Sequence, residues 1–249
     1  MSGVLIRFLC RSVRSLLTNV FVRFIITYVI YNKRYLWSKE MPAIRKTSKE
    51  AIINAAVDVL RESGAAALNA RNVAKKLGCS TQPIYLCFQN MEDLKAAMTR
   101  QAIALHTQSV REWLHILDAD DSCYRQHSHY SSYGIGFVKF AALEKHLFRW
   151  LYLEGGQPGP HQDDVLLPEI IAAIVNEYGY SEELAEKLHR DMTYYSYGLA
   201  ILANTGHLNL TDAELLASFR REFTALAAYY GVSPIPLRFR EQSERTDVS

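Results

Sequence analysis

The sequence is poor in cysteine and has none of the close cysteine pairs that mark a disulfide framework or a zinc site. Its four cysteines (Cys10, Cys79, Cys87, Cys123) are scattered, which is typical of a protein from a reducing cytoplasm. Cys123, His127 and His129 bring possible zinc ligands into one segment. Segments rich in Ser, His and Tyr are more often solvated, so we expect no metal, no cofactor and a cytoplasmic location.

Long uncharged apolar runs are also lacking. Residues 1–40 are apolar and basic, but arginines interrupt them, and the longest uncharged stretch covers residues 24–32. A membrane-spanning helix needs about 18 or more such residues, and no secretory cleavage site follows. Three interpretations remain: a translated upstream region before a start at Met41, an amphipathic membrane-surface segment, or an added helix. We favour the first, because a short basic lead follows Met41, and we therefore do not expect a membrane partner.

Motifs of the common enzyme classes are missing as well. There is no G-x-S-x-G elbow, P-loop or H-E-x-x-H, and Gly134 and Gly136 form only a G-x-G fragment. An enzyme is therefore not expected. No stretch alternates between apolar and polar residues as a strand does, so the pattern predicts an all-α fold.

Helix boundaries can be predicted from capping residues. A first helix is expected from Thr47, capped through Thr47 and Glu50, to Ser63 with Gly64 as its stop. Later helices are expected at about 90–117, 135–156, 163–178, 181–203 and 211–230. Asn90 should cap the helix that opens with Met91. Residues 118–132 are expected to form a loop, and the tail from Ser233 to be loose.

Residues 70–88 (ARNVAKKLGCSTQPIYLCF) have the pattern of two short helices joined by a tight turn. Apolar residues fall where such a pair buries one face, and Ala74 is small where the helices cross. Gly78 follows the first helix at a position that requires positive φ. We expect Ser80 to cap the second helix through the amide of Gln82. A plain αα-hairpin would share much of this pattern.

The segment from Thr47 to Leu94 resembles the DNA-binding domain of the TetR family of bacterial transcription regulators. The resemblance is carried by the order and spacing of SKEAIINAAVDVLRESG, ALNARNVAKKLGCS, TQPIYLCF and NMEDL. One departure is Met91, where the family usually has a lysine, so a phosphate contact is expected to be lost. The resemblance implies a helix-turn-helix head and a larger helical ligand-binding and dimerisation domain.

Charge is distributed unevenly along the chain. Residues 1–95 carry 15 Lys and Arg against 6 acidic residues, although most of that excess lies in residues 1–40. A basic segment suits double-stranded DNA, whose binding releases phosphate counterions. We expect Thr81 and Gln82 to approach base edges, with Gln82 setting sequence choice. The full set of expected DNA-binding residues is Arg45, Lys46, Thr81, Gln82, Pro83, Tyr85 and Lys95.

Aromatic side chains along the later helices could enclose a small-molecule effector. The charged or polar residues within these apolar helices (Glu144, Arg149 and His189) should be exposed, paired or turned towards a ligand. Aromatic residues at helical spacing belong more often to a core than to a pocket. The expected ligand-binding residues are Trp113, Phe140, Glu144, Phe148, Arg149, Tyr152, His189, Tyr194 and Tyr197.

The resemblance also implies a homodimer formed by the last two long helices as a four-helix bundle. Five apolar side chains could fill its seam: Leu199, Leu202, Leu216, Phe219 and Phe223. These residues could instead pack inside one subunit.

The sequence thus predicts four segments: a leader (1–40), a helix-turn-helix domain (41–95), a helical regulatory and dimerisation domain (96–232) and a tail (233–249). The expected function is a DNA-binding transcriptional regulator, a repressor released by a small molecule. A membrane-surface sensor using residues 1–40 and an all-α enzyme are the alternatives.

Overall fold

The computed structural model describes residues 48–118, 128–154 and 165–237. These ranges form nine α-helices and no β-strand, which confirms the predicted all-α class. The helices are α1 (Lys49–Ser63), α2 (Ala70–Leu77), α3 (Gln82–Cys87), α4 (Met91–Asp118), α5 (His129–Leu143), α6 (Lys145–Arg149), α7 (Leu167–Tyr178), α8 (Glu182–Thr205) and α9 (Asp212–Tyr229). A 3₁₀ turn (Ala65–Ala67) follows α1, and a π-helical turn (Trp150–Glu154) follows α6.

Residues 1–47 lie outside the described residues. The three interpretations of the leader and the predicted cap at Thr47 concern these residues and therefore stay predictions. Over the described ranges, no helix has both the length and the apolar character that crossing a bilayer requires.

Helices α1, α2 and α3 form a compact head around a shared apolar core. The predicted stripe of α1 is buried, with Ile52, Ala56 and Leu60 fully shielded from solvent. Gly78 ends α2 in the left-handed conformation, with φ 69° and ψ 35°, as its sequence position predicts. This left-handed residue redirects the chain within a short turn, so that α3 starts at a fixed angle to α2.

The capping residues of the head agree only in part with prediction. Asn90 caps α4 as predicted, because the Asp93 amide donates to Asn90 Oδ1 at 2.9 Å. The prediction that Ser80 caps α3 is wrong. Thr81 is the N-cap residue and has αR backbone angles, so no side chain caps the helix. Pro83 in the first turn lacks an amide that would need such a partner.

Helix α5 begins earlier than the sequence predicts. The loop expected over residues 118–132 ends by His129, because the Ser131 amide donates to Ser128 Oγ at 3.1 Å. The carboxylate of Glu177, on α7, accepts the amides of His129 and Tyr130. A distant residue therefore completes this helix start, which local sequence cannot show.

A break at Glu144 divides what the sequence predicts as one helix into α5 and α6. Glu144 has φ −106° and ψ 58°, outside the helical region. The side chain of Asn204, which is 1% exposed, donates to the carbonyl oxygens of Ala141 at 2.9 Å and Lys145 at 3.1 Å. Buried carbonyls need hydrogen-bond partners, so Asn204 on α8 stabilises the break.

The later helices follow their predicted caps closely. Ser181 caps α8, and Thr211 forms a capping box with Glu214 at the start of α9. Helix α7 starts at Leu167 rather than at residue 163. The tail is not loose throughout. The Tyr180 hydroxyl donates to the Ser233 carbonyl at 2.5 Å, and Leu237 packs beside Gly179.

Helices α4 and α5 approach each other closely at Gly136. A Cβ added there would lie 3.1 Å from the Cα of Val110, and backbone cannot move aside as a flexible side chain can. We expect Gly136→Ala to lower the free energy of unfolding by about 1–3 kcal/mol through overpacking. Urea denaturation measures it. Glu186→Ala is the control, because Glu186 is exposed on α8. Equal stability of the two variants would contradict the close approach.

Candidate nucleic-acid interface and internal cavity

Helix α3 is held by one face and exposes the other. Ile84 is 1% exposed and Phe88, just after the helix, is 5% exposed. Thr81 and Gln82 are exposed in the first turn, and Tyr85 is 53% exposed one turn later. The buried pair fixes the rotation of the helix, so that the polar groups of its first turn point to solvent.

The exposed side chains of α3 have the chemistry that reads DNA. A Gln amide can donate to and accept from an adenine at once, and a Thr hydroxyl can bond to several bases. Six residues span about 9 Å, short enough to enter a major groove about 12 Å wide. Leu86, which is 79% exposed, was not among the predicted residues. Its apolar type predicts burial, and only the structure shows it on the open face.

One predicted phosphate-binding cation, Lys95, lies in the first turns of α4. Lys95 Nζ lies 2.8 Å from Glu92 Oε1 in a surface pair, which is a weak association that a phosphate could replace. Pro83 is half-buried in the first turn of α3, and Met91 is half-buried at the start of α4. Arg45 and Lys46 lie outside the described residues.

A cavity of about 170 Å³ lies among α4, α5, α7, α8 and α9. Its walls are mostly apolar and aromatic, and include Phe137, Tyr152, Tyr197, Phe219 and Phe223. Its polar lining includes His106, Thr107, His189, Thr193 and Ser196. An apolar cavity with a few polar groups is the usual form of a small-molecule site.

The aromatic residues and the histidine predicted to bind ligand fall into three groups. Tyr152, His189 and Tyr197 line the cavity. Phe140 and Phe148 are fully buried behind it, and contact its aromatic wall through His106 and Phe137. Two other predicted residues are placed elsewhere: Tyr194 is 62% exposed, and Trp113 stacks with the ammonium of Lys139. Sequence spacing alone could not separate wall from core.

The two charged residues predicted to bind a ligand, Glu144 and Arg149, are each bonded to another side chain of the same chain. Glu144, only 5% exposed, pairs with the guanidinium of Arg61 on α1 through two contacts of 2.8 Å. Arg149 Nε donates to Asn204 Oδ1 at 3.0 Å. These partners connect α1 to the α5–α6 break. Of Glu144, Arg149 and His189, only His189 is among the residues that line the cavity. Its Nδ1 lies 3.2 Å from the Tyr130 hydroxyl.

Burial controls protonation in the cavity wall. Desolvation lowers the pKa of His106 from its ordinary 6.5 to about 4, because the imidazolium would lose its hydration. Burial also raises the pKa of Tyr130 above its ordinary value, with a smaller contribution from Tyr178. Both groups are therefore neutral at pH 7.

The residues predicted for a dimer seam are mostly internal. Leu199, Leu216, Phe219 and Phe223 are each at most 9% exposed in the single chain, and the two phenylalanines line the cavity. Leu202 is 43% exposed.

Comparison with known proteins supports this geometry. Residues 52–98, from α1 into the first turns of α4, match the family model described as bacterial regulatory proteins, tetR family. A search of curated proteins finds no match. The family model covers the buried stripe of α1, the Gly78 turn and the exposed face of α3. Residues 52–98 therefore form a helix-turn-helix domain similar to that of the tetR family of bacterial regulatory proteins, which supports a DNA-binding transcriptional regulator.

Proposed function

We propose that the protein is a repressor that binds a two-fold operator as a homodimer and leaves it when a small molecule fills the internal cavity. The observation that carries this proposal is the exposed polar first turn of α3, which is anchored by the buried Ile84. In this assignment residues 41–95 form the DNA-binding domain and residues 96–232 the regulatory and dimerisation domain.

Base edges would be read by the first turn of α3. Thr81 and Gln82 are exposed there, and the N-terminal residues of a recognition helix contact bases in helix-turn-helix proteins. Pro83 would add shape and a contact to a thymine methyl. Tyr85 and Lys95 would hold phosphates on either side, and Arg45 and Lys46 would approach the DNA backbone. Phosphate contacts position the head, while Gln82 selects the sequence.

A second copy of the chain would cover the exposed apolar stripe of α8. Tyr194, Gly198, Ile201 and Leu202 follow one another at helical spacing, and the three larger side chains are 37–62% exposed. Around Gly198 an added Cβ would meet nothing within 4 Å, so another helix can approach closely. On α9, Tyr229 is 81% exposed. Of the seam residues named from sequence, Leu202 belongs to this stripe.

Release would be transmitted by elements that contact both the cavity and the head. Helix α4 begins beside α3 and carries the cavity residues His106 and Thr107. Helix α5 carries Phe137 in the cavity wall and leads directly to Glu144, which pairs with Arg61 of the head. A ligand that moves α5 relative to α1 would therefore change the position of the head.

A selection from random duplex DNA by the protein starting at Met41 tests the proposal. The winning site should be palindromic, with half-sites one helical turn apart, and should bind at least about a thousandfold more tightly than random DNA at physiological salt. Titration at several salt concentrations separates phosphate contacts from base reading. Salt-sensitive binding without a consensus, seen also with the full chain, would contradict sequence reading by α3.

Gln82→Ala should weaken operator binding by about 1–3 kcal/mol per half-site and relax the base preference at one position, because a bidentate amide contact is lost. Fluorescence anisotropy with the selected site and its single-base variants measures both effects. Gln101→Ala, on α4 and away from α3, is the matched control. An unchanged base preference in the Gln82 variant would show that another residue selects the sequence.

A further inference from the structure

We propose that the cavity binds an uncharged aromatic molecule of one or two rings that carries a hydroxyl group. This inference rests on the proposed function only in treating the cavity as the effector site. It assigns the chemical class of the effector.

The described part of the wall has no permanently charged side chain, which disfavours ions. Among the described residues that line the cavity there is no Lys, Arg, Asp or Glu. His106 is neutral at pH 7, because burial lowers its pKa to about 4. A carboxylate or ammonium entering this space would lose its hydration and would find no Lys, Arg, Asp or Glu among the described lining residues, which costs several kcal/mol. The cavity therefore selects neutral molecules.

Aromatic side chains form the apolar wall. Phe137 makes ring contacts with Tyr152 at 5.2 Å and Tyr197 at 5.1 Å between centroids. Tyr152 and Tyr197 meet edge to face, at an interplanar angle of 89°. Rings in such clusters present both faces and edges, and an additional aromatic ring packs favourably against either. A planar aromatic ligand thus fits this wall better than a branched aliphatic one.

Among the described residues, only Tyr152 hydrogen-bonds to His106, which leaves one ring nitrogen of His106 open to a ligand. The Tyr152 hydroxyl lies 3.1 Å from His106 Nδ1 and 3.4 Å from Nε2. One hydroxyl cannot make a well-formed bond to both nitrogens of the same ring, and a neutral imidazole has one donor and one acceptor. His106 is only 6% exposed, so water outside the cavity does not hydrogen-bond to its remaining ring nitrogen. A polar ligand atom in the cavity can form that hydrogen bond.

Thr107 provides a second unfilled position, next to His106 on α4. It is 8% exposed and lines the cavity. Within the part of the chain that the structure describes, nothing hydrogen-bonds to its hydroxyl. Buried hydroxyls usually have a partner, and a ligand hydroxyl is one that the cavity can supply.

The opposite side of the cavity favours a hydrogen-bond donor on the ligand. The hydroxyls of Thr193 and Ser196 donate to the carbonyls of His189 at 2.7 Å and Met192 at 2.8 Å. Having used their hydrogens, both can only accept from a ligand. A ligand hydroxyl can donate a hydrogen bond to one of these oxygens or form a hydrogen bond with the Thr107 hydroxyl. An ether or ketone cannot donate a hydrogen bond.

The volume limits the number of rings. A cavity of about 150 Å³ in another protein binds benzene, and this one measures about 170 Å³. One ring with substituents, or two fused rings after small side-chain shifts, therefore fills the space.

The test compares three probes of nearly equal shape: 2-naphthol, naphthalene and 2-naphthoate. Isothermal titration calorimetry with the full chain and no DNA measures each Kd. We expect 2-naphthol to bind about fivefold to tenfold more tightly than naphthalene, since it adds one hydrogen bond. It should bind at least about a hundredfold more tightly than 2-naphthoate, whose charge would be buried without a partner.

Thr107→Val removes the hydroxyl at nearly constant volume. It should weaken 2-naphthol about fivefold and leave naphthalene unchanged, and Thr205→Val, exposed at the end of α8, should alter neither. Binding of 2-naphthoate as tight as 2-naphthol, or no binding of 2-naphthol and of the one-ring probe phenol, would overturn the assigned class while leaving DNA recognition untouched. Tight 2-naphthol binding that does not release the selected operator would support the class and contradict ligand release.

Discussion

Arg61→Leu should lower the free energy of unfolding by about 3–5 kcal/mol, far more than an ordinary surface substitution. Arg61 and Glu144 form two contacts of 2.8 Å, and Glu144 is 5% exposed. Replacing the guanidinium leaves a buried carboxylate without its cation. The loss follows from that desolvation and is larger than the net contribution of the pair itself.

Urea denaturation at one fixed protein concentration measures the effect, because a dimer would make stability depend on concentration. Arg71→Leu is the matched control, since Arg71 is exposed on α2. Combining Arg61→Leu with Glu144→Leu should recover much of the loss, because the buried charge is then removed. A loss below about 1 kcal/mol for Arg61→Leu would mean that the pair behaves as a surface contact.

Stability should fall as the pH falls from 6.5 to about 4, in part through His106. The pKa of His106 is lowered from 6.5 to about 4 by desolvation, so in this range the unfolded chain binds a proton that the folded chain does not. The contribution is fully present above pH 6.5 and is lost progressively down to about pH 4. A shift of this size amounts to about 3 kcal/mol.

His106→Phe removes this titration. The stability of wild type relative to the variant, measured as the difference between their free energies of unfolding, should therefore be about 3 kcal/mol lower at pH 4 than at pH 7.5. Groups that titrate in both proteins cancel in the comparison. His207→Phe is the control, because His207 is exposed. A constant difference between the His106 variant and wild type across this range would show that His106 is protonated in the folded protein.

Helix ends that depend on neighbouring residues were mostly predictable from sequence, with the start of α3 at Thr81 as the exception. Gly78, Asn90, Ser181 and Thr211 all act as predicted, because each makes its contacts within a few residues of itself. The break at Glu144 was not predictable. Its partners are Arg61 and Asn204, which are distant in sequence. Locally the segment has the composition of an uninterrupted buried helix.

The exposed face of α3 was predictable from sequence, and the lining of the cavity only partly. The turn glycine and the buried Ile84 fix which residues of α3 face outward, so Thr81, Gln82 and Tyr85 could be identified. In the larger domain, aromatic residues fill core and cavity wall alike. Phe219 and Phe223 were assigned to a dimer seam, but the fold turns them into the cavity of their own chain. Their role depends on where α5 and α7 pack, and one helix's pattern does not contain that information.

Because Ile84 is the buried residue of α3, with the other five half-buried or exposed, changes in DNA preference are nearly independent of changes in stability. Substitutions at Thr81, Gln82, Tyr85 and Leu86 remove little from the core. New DNA preferences can therefore evolve, or be selected from a library at these four positions, while the stability of the rest of the protein is kept.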